Sequence, residues 1–301
     1  MIRRPPRSTL DRSSAASDVY KRQSLPSPGN WEANLGTHDL SGLRVAVVPN
    51  LGGITLEDGV EQRIRDEAAA LIADNNMVQV DIDVRPPNLA AQWMMGNLST
   101  LLAELGPLWP KCAKDLTDEV AIGLYLSQSM YNLRTAAVAE QMRVEANQAM
   151  ARAFEQVDLI IAASNPGPAF AAEASMSSTE NNLIEKAKSS TAAKGAFRAA
   201  LFGTRLASTF APKLPSTLLD QVSERFPEMV NMGALTIISN IYGNPAVSIP
   251  AGTVRGLPVG MQVLARHHED PLLFDVALAV ERERPWPMVA PAVSDAAAVR
   301  S

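Results

Sequence analysis

The sequence predicts an α/β fold in which a mixed sheet is flanked by helices, and three observations predict it. A strand, an amphipathic helix and a second strand follow one another between residues 43 and 84. Another buried strand comes after a long helical region, at residues 158–162. Two strands separated by a glycine-bounded turn precede a last helix. Alternating strands and helices are typical of parallel sheets, to which a hairpin adds antiparallel strands.

The first unit runs from Leu43 to Val84. Leu43–Val48 is a short apolar run that ends at Pro49, as a buried strand would. Thr55-Leu56-Glu57-Asp58 resembles a helix-start box. The apolar residues that follow recur on one helical face: Val60, Ile64, Ala68, Leu71 and Ile72. Apolar and polar residues alternate from Val78 to Val84, which predicts a half-solvated strand parallel to the first and joined to it by a right-handed crossover.

The middle of the chain is predicted to be largely helical. Residues 89–156 have a helical pattern that is interrupted at Gly106-Pro107 and at Trp109-Pro110. The nearly continuous apolar run Asp158–Ala162 predicts a buried strand that ends in the loop Ser164–Pro168. Residues 171–230 predict helices joined by long polar loops.

The last part of the chain predicts a helix, two paired strands and a final helix. Ala234–Ile241 is the first helix, and Ala246–Ile249 pairs with Val259–Leu264 across residues 252–256. Asp270 stands directly before Pro271, which predicts a capping carboxylate at the start of the last helix. Its apolar face comprises Leu272, Leu273, Val276, Ala277 and Val280, and Pro285 ends it.

Composition excludes several classes of protein. The chain has 301 residues, of which 47% are hydrophobic and 20% charged, which is ordinary for a globular protein. A net charge of -5 argues against a nucleic-acid partner. The single cysteine, Cys112, allows no disulfide, and no stretch reaches the roughly 18 apolar residues of a membrane span. A cytoplasmic protein without a membrane partner is expected. His267-His268 are adjacent and His38 is isolated in a loop, so no metal site is predicted.

Three segments, in order, carry a resemblance to a known family. The first is Asp39–Val47, and the second is Phe154–Ser164. The third and most specific is Asn240–Gly252 followed by Gly256–Val263, with these residues behind it: Asp270, Leu272-Leu273, Glu281 and Pro285-Trp286. Together they resemble the amidase-signature family over nearly all of residues 40–291. One departure is Ala163-Ser164, which stands where the family strand usually ends in Pro-Thr.

The resemblance implies an enzyme that hydrolyses a carboxamide or related C–N bond of a small molecule, with no cofactor and no metal. The family is known for a Ser–Ser–Lys triad, held with the oxyanion donors in a Gly/Ser-rich segment upstream of the part that matches Leu40. No Gly-Gly-Ser-Ser-Gly-Gly-like run occurs among the 301 residues. We therefore expect no catalytic residue in this chain, which alone would be inactive and would form one wall of the substrate pocket.

The resemblance also implies site residues, because the loop around Gly243 approaches the acyl pocket in the family. Asn240 and Asn244 are accordingly expected to touch substrate or the catalytic loop. Other glycines and prolines of this segment are expected to be structural, at turns, at strand ends or where the chain packs closely. They are Gly243, Pro245, Pro250, Gly252, Gly256, Pro258 and Gly260. Ser189-Ser190 near Lys194 offers hydroxyls beside an amine, but its polar setting favours a solvated face.

The expected organisation has four parts. Residues 1–23 resemble translated sequencing-adapter read-through and form an artefactual or disordered leader, and residues 24–38 form a loop. Residues 39–291 are expected to be the carboxy-terminal part of a single amidase domain, and residues 292–301 a disordered tail. Two alternatives stay open. One is a non-catalytic binding or scaffold module, or a half-enzyme that complements a separate amino-terminal chain. The other, ranked lower, is a subunit of a transfer-RNA-dependent amidotransferase. Substrate and oligomeric state are not predicted.

Overall fold

The computed structural model describes residues 30–170, 191–214, 217 and 233–287. The expected leader 1–23, the expected tail 292–301 and the Ser189-Ser190 hydroxyls lie outside the described residues, and so does most of the polar stretch 171–230. Within the described ranges, five strands form one mixed sheet in the order β2-β1-β3-β5-β4. The predicted fold class, a mixed sheet flanked by helices, is confirmed.

The parallel part of the sheet is formed by β1 (Arg44–Val47), β2 (Val78–Gln79) and β3 (Leu159–Ala163), with β1 in the middle. Every residue of β3 is buried, as expected of a central strand covered on both faces. The prediction for the second strand was too long. Only Val78 and Gln79 pair with β1, and the alternating stretch continues to the buried Val84 outside the ladder.

The antiparallel part is a hairpin of β4 (Ala246–Val254) and β5 (Leu257–Ala265), and β5 also pairs with β3. The two turn residues, Arg255 and Gly256, have φ of 53° and 77°. Positive φ at both central residues is the geometry whose twist matches paired strands. The predicted strand pair is confirmed, and both strands are longer than the sequence indicated. Among the described residues, β4 is an edge strand.

Helices α1 (Val60–Asp74) and α7 (Asp270–Glu283) pack on each other and on β4 and β5. The predicted apolar face of α1 is confirmed, since Val60, Ile64, Ala68 and Leu71 are fully buried. The predicted start boxes of both helices were wrong. Gly59 precedes α1 at a φ of 87° and no side chain caps it, while Glu269, not Asp270, precedes α7.

The other face of the sheet is covered by α4 (Leu133–Gln156) and α6 (Ala234–Tyr242), and Gln262 of β5 donates a hydrogen bond from Nε2 to Leu235 O of α6 at 2.9 Å. Helices α2 (Ala90–Leu105), α3 (Asp118–Met130) and α5 (Thr191–Phe210) lie further out. The predicted break near residues 106–110 is confirmed. A second break, between α3 and α4, contains no glycine or proline and was not predicted. There Asn132 caps α4, because its side chain accepts hydrogen bonds from Arg134 N and Thr135 N.

Buried charges tie the α1–α7 layer to the edge strand. The Glu67 side chain is 5% exposed and accepts hydrogen bonds from Arg63 at 2.8 Å and from Arg284 at 2.5 Å. Arg63 also donates to Ala251 O of β4 at 2.6 Å, and Arg284 also pairs with Asp74. None of the described helices is both long and apolar enough to cross a membrane.

Candidate functional site

A cleft of about 720 Å³ lies where the parallel strands β1 and β3 end. It is lined by residues 55–58, which precede α1, by residues 165–170, which follow β3, and by Arg255 with residues 258–260 of the hairpin. Open α/β sheets bind ligands outside the carboxyl ends of their strands, because the loops there converge on one crevice. This cleft is therefore the candidate site.

Two serine hydroxyls meet beside the cleft. Ser164 directly follows β3, and its N–H donates to Gly260 O at 2.8 Å. Its Oγ lies 2.6 Å from Oγ of Ser248, which is 84 residues further along the chain on the exposed face of β4. Ser164 itself is only 7% exposed. Ser164 thus places a hydroxyl at the end of β3, where it pairs with a hydroxyl of the edge strand.

Gly260 makes room for this hydroxyl pair. A Cβ added to Gly260 would lie 2.8 Å from Ser164 Oγ and 3.1 Å from Ser248 Oγ, which is closer than side-chain carbons normally come. Any larger residue would separate the two hydroxyls or displace β5 from β3. The glycine is required here by close packing, not by a left-handed backbone.

One side of the cleft is closed by Glu57. Its N–H donates to Pro166 O at 2.9 Å, and its carboxylate forms an ion pair with Arg255. Its side chain also occupies the space that a Cβ on Gly167 would need. The loop before α1, the loop after β3 and the hairpin turn are therefore joined through one side chain.

The described walls of the cleft hold binding groups but no activated nucleophile. Among the described residues that line it, the ionisable side chains are Glu57, Asp58 and Arg255, and none is a lysine or a histidine. A serine hydroxyl needs a nearby base to attack a carbonyl carbon. The described walls of the cleft contain no lysine or histidine that could act as such a base.

The structure places the two predicted asparagines at the other end of the sheet. Asn244 is 6% exposed, and its Nδ2 donates to Pro245 O at 3.0 Å and to Ala265 O at 3.1 Å. Ala265 is five residues from Gly260 along β5, a span of roughly 17 Å. Asn240 is exposed near the end of α6, where its Nδ2 donates to Thr236 O at 3.3 Å. The structure therefore does not bring these amides to the cleft.

The positions expected to be structural fall into three groups. Gly243 ends α6 with a φ of 79°, and Gly252 and Gly256 have φ of 86° and 77° at a strand irregularity and at the hairpin turn. Pro258 and Gly260 line the cleft. Pro245 accepts a hydrogen bond from Ala265 N, and Pro250 pairs with Gly260.

The histidines lie away from the cleft. His38 was expected to be isolated, which was wrong: its Nδ1 lies 2.6 Å from Oδ2 of the buried Asp275, and its N–H donates to the same oxygen at 2.9 Å. Burial alone would raise the pKa of Asp275, but hydrogen bonds from Gly36 N and from His38 hold it below its usual value. His267 Nε2 lies 2.8 Å from Tyr242 O. In the part of the chain that the structure describes, no three metal-ligating side chains come together.

Solved structures of two enzymes superpose on this chain and identify its fold. A bacterial aryl acylamidase of the amidase-signature enzymes superposes with a TM-score of 0.58 at 15% identity, covering 87% of this chain and 48% of that one. The 6-aminohexanoate cyclic dimer hydrolase, complexed with substrate, superposes with a TM-score of 0.57 at 18% identity, covering 89% of this chain and 50% of that one. The chain has the amidase-signature fold.

Sequence comparison points the same way. A Glutamyl-tRNA(Gln) amidotransferase component from Listeria monocytogenes is 25% identical over 292 residues, which cover 88% of this chain and 50% of that protein. The corresponding protein of Clostridium kluyveri is 36% identical over 83 residues, which cover 27% of this chain and 17% of that protein. No protein-family model matches the chain. The chain spans at most about half the length of these relatives. Sequence and structural neighbours both point to the amidase-signature family.

Proposed function

We propose that this chain forms the back wall of the substrate pocket of an amidase-signature enzyme that hydrolyses a carboxamide C–N bond. The observation that carries the proposal is the Ser164–Ser248 hydroxyl pair beside a cleft whose described walls contain no lysine and no histidine. The walls supply hydrogen bonds and shape, while the attack on the carbonyl carbon needs a nucleophile and a base. In the proposed enzyme, neither comes from the described walls of this cleft.

In this arrangement the chain has a positioning role. Ser164 holds the hydroxyl of Ser248 at 2.6 Å, and Ser248 is exposed on the outer face of β4. A carboxamide presents a carbonyl acceptor and one or two N–H donors, and a hydroxyl pair matches either kind of group. Correct placement of the reacting amide is worth several orders of magnitude in rate, provided that a nucleophile is present. The chain alone is therefore proposed to be catalytically inactive.

The test is a fusion that restores the other half of the enzyme. The half of the Listeria monocytogenes relative that this chain does not cover is joined to the intact chain. We expect the fusion to hydrolyse an acetanilide and the unfused chain not to. Circular dichroism establishes that both proteins are folded. A folded fusion that hydrolyses neither an anilide nor glutamine contradicts the proposal and favours the non-catalytic module.

A second candidate is a component of an amidotransferase, which the names of the curated relatives favour. Such a component would release ammonia from glutamine, and its acceptor would be a misacylated transfer RNA bound with partner proteins. The net charge of -5 makes direct binding of nucleic acid by this chain alone unfavourable. The same fusion separates the two candidates. Release of ammonia from glutamine without anilide cleavage supports the amidotransferase, and anilide cleavage alone supports the amidase.

A further inference from the structure

The positive charge on the described walls of the cleft is already paired. Among the described residues that line the cleft, Arg255 is the only one with a cationic side chain. It stands at the hairpin turn, and its guanidinium donates to the carboxylate of Glu57. The side chains of Arg255 and Glu57 are 63% and 31% exposed, so both are accessible to a ligand in the cleft. A ligand therefore meets Arg255 as one half of an ion pair.

The position of Glu57 does not depend on Arg255. The N–H of Glu57 donates to Pro166 O at 2.9 Å, and its carbonyl oxygen accepts from Val60 N at 3.1 Å. Its carboxylate lies over Gly167, where a Cβ would overlap it. These contacts place the Glu57 side chain beside the cleft, and Arg255 is the partner that reaches it from the exposed turn.

A second carboxylate of the same wall has no such partner. Asp58 lines the cleft, is exposed, and forms no ion pair among the described residues. Two carboxylates and one guanidinium, those of Glu57, Asp58 and Arg255, give the described lining a net charge of -1. The amino end of α1 adds a partial positive charge, which Glu61 in its first turn offsets. A carboxylate on a ligand is therefore repelled, and an ammonium group is attracted.

We propose that the Glu57–Arg255 ion pair determines the charge selectivity of the cleft. Glu57 neutralises Arg255, so the cleft binds neutral or positively charged amides and rejects amides that carry a carboxylate. The inference rests on the proposed function for the amide and on the charges of the described walls for the selectivity. A free guanidinium offers N–H donors in the geometry that a carboxylate accepts. Removing the charge of Glu57 should therefore abolish the discrimination against carboxylates.

The experiment compares succinamide with succinamate, which have the same length and differ in one carboxamide or carboxylate group. Saturation-transfer NMR titrations of the full 301-residue chain at low salt give the affinity of each. We expect succinamate to bind about three- to tenfold more weakly, the effect of one net charge at roughly 7 Å near a protein surface. The cationic 3-aminopropanamide should bind at least as tightly as succinamide. Concentrated NaCl should reduce these differences, because it screens exposed charges.

Substitution of Glu57 identifies the residues responsible. In Glu57→Gln, Arg255 loses its carboxylate partner and the net charge of the described lining rises from -1 to zero. Succinamate affinity should then rise about three- to tenfold, while succinamide affinity stays unchanged. The double variant Glu57→Gln/Arg255→Gln should lose this gain. The matched control is Glu61→Gln, which removes a carboxylate paired with Arg65 outside the cleft lining and should change neither affinity.

A variant of opposite sign keeps the test decisive if Glu57→Gln does not fold. Arg255→Gln, at the exposed turn, should weaken succinamate binding by about a further three- to tenfold. Equal binding of succinamide and succinamate by the unmodified chain overturns the inference, and so does an equal gain in Glu57→Gln and Glu61→Gln. In both cases the cleft still binds amides and the proposed function stands. If none of the three amides binds, both the inference and the proposed pocket are wrong. An inactive fusion contradicts only the proposed function, since these titrations do not depend on catalysis.

Discussion

Replacing Glu67 with glutamine tests whether the layer behind the edge strand depends on a buried charge. The substitution keeps the shape of the side chain and removes the negative charge between Arg63 and Arg284. Breaking a fully buried pair costs roughly 3–5 kcal/mol, because the remaining charge is left uncompensated. The two arginine side chains are 36% and 28% exposed and keep some contact with water. We therefore expect Glu67→Gln to lower the free energy of unfolding by about 2–3 kcal/mol.

The matched control is on the same helix. Glu61 pairs with Arg65 at the same four-residue spacing, but these side chains are 51% and 46% exposed. We expect Glu61→Gln to cost only about 0.3–0.5 kcal/mol. Urea unfolding followed by circular dichroism measures both variants, first at low salt and then in concentrated NaCl. Salt is expected to abolish the loss of stability in Glu61→Gln and to leave most of the loss in Glu67→Gln. The reason is that water and ions freely reach only the Glu61–Arg65 pair.

Two results would refute this reasoning. Equal losses of stability in the two variants would mean that burial makes no difference to the value of the ion pair. A loss of less than about 1 kcal/mol for Glu67→Gln would mean that the arginines find other partners or solvent without cost. The second result would also mean that α1 and α7 are held against β4 without help from the buried charge.

Three further predictions concern single positions. The hydrogen bond from Arg44 lowers the pKa of Asp158. The stabilisation from the Asp158 carboxylate is therefore present above the unfolded pKa of about 3.9 and is lost as pH falls through the folded pKa. The difference in urea midpoint between the parent and Asp158→Asn should shrink on acidification below about pH 4. Gly260→Val should cost about 1–3 kcal/mol in urea unfolding, because its side chain overlaps the hydroxyl pair. Asn244→Ala should cost about 1–3 kcal/mol by the same assay, since it removes one buried and one partly buried hydrogen bond. The same substitution at the exposed Asn240 should cost less than about 0.5 kcal/mol.

Each of these has a contrary outcome. A midpoint difference for Asp158→Asn that stays constant from neutral pH to pH values well below about 3 would show that its carboxylate gains nothing from Arg44. Unchanged stability of Gly260→Val would mean that β5 shifts to make room for the new side chain at no cost in free energy. Equal losses of stability in the two asparagine variants would mean that water replaces the amide of Asn244 without cost. The hydrogen bonds from Asn244 to the backbone would then not stabilise the fold.

The fold was predictable where local pattern and burial agree. The apolar run that became β3 is hydrophobic because both faces of that strand are covered, and the face of α1 repeats at the helical period. Helix starts were not predictable from carboxylates alone. Gly59 begins α1 through a left-handed backbone, which frees Thr55–Asp58 to line the cleft instead. The length of β2 was also missed, because alternation records which side chains are buried and not which backbone groups are paired.

The candidate site was less predictable than the fold, because its parts are distant in the sequence. Ser164 and Ser248 are 84 residues apart, and only the pairing of β3, β5 and β4 brings their hydroxyls together. The expectation for Asn240 and Asn244 came from resemblance, and it stays a prediction for the intact enzyme, since the cleft of this chain lies at the opposite end of the sheet.

The most direct test of the central claim is covalent labelling of the chain by a fluorophosphonate, followed by intact-mass spectrometry. The reagent modifies only a serine whose proton is removed by a neighbouring base. If Ser164 and Ser248 merely shape the pocket, the mass of the 301-residue chain stays unchanged, while an active amidase-signature enzyme treated in parallel gains one adduct. A single stoichiometric adduct on any serine of this chain would contradict the account, since it would place an activated nucleophile within the wall itself.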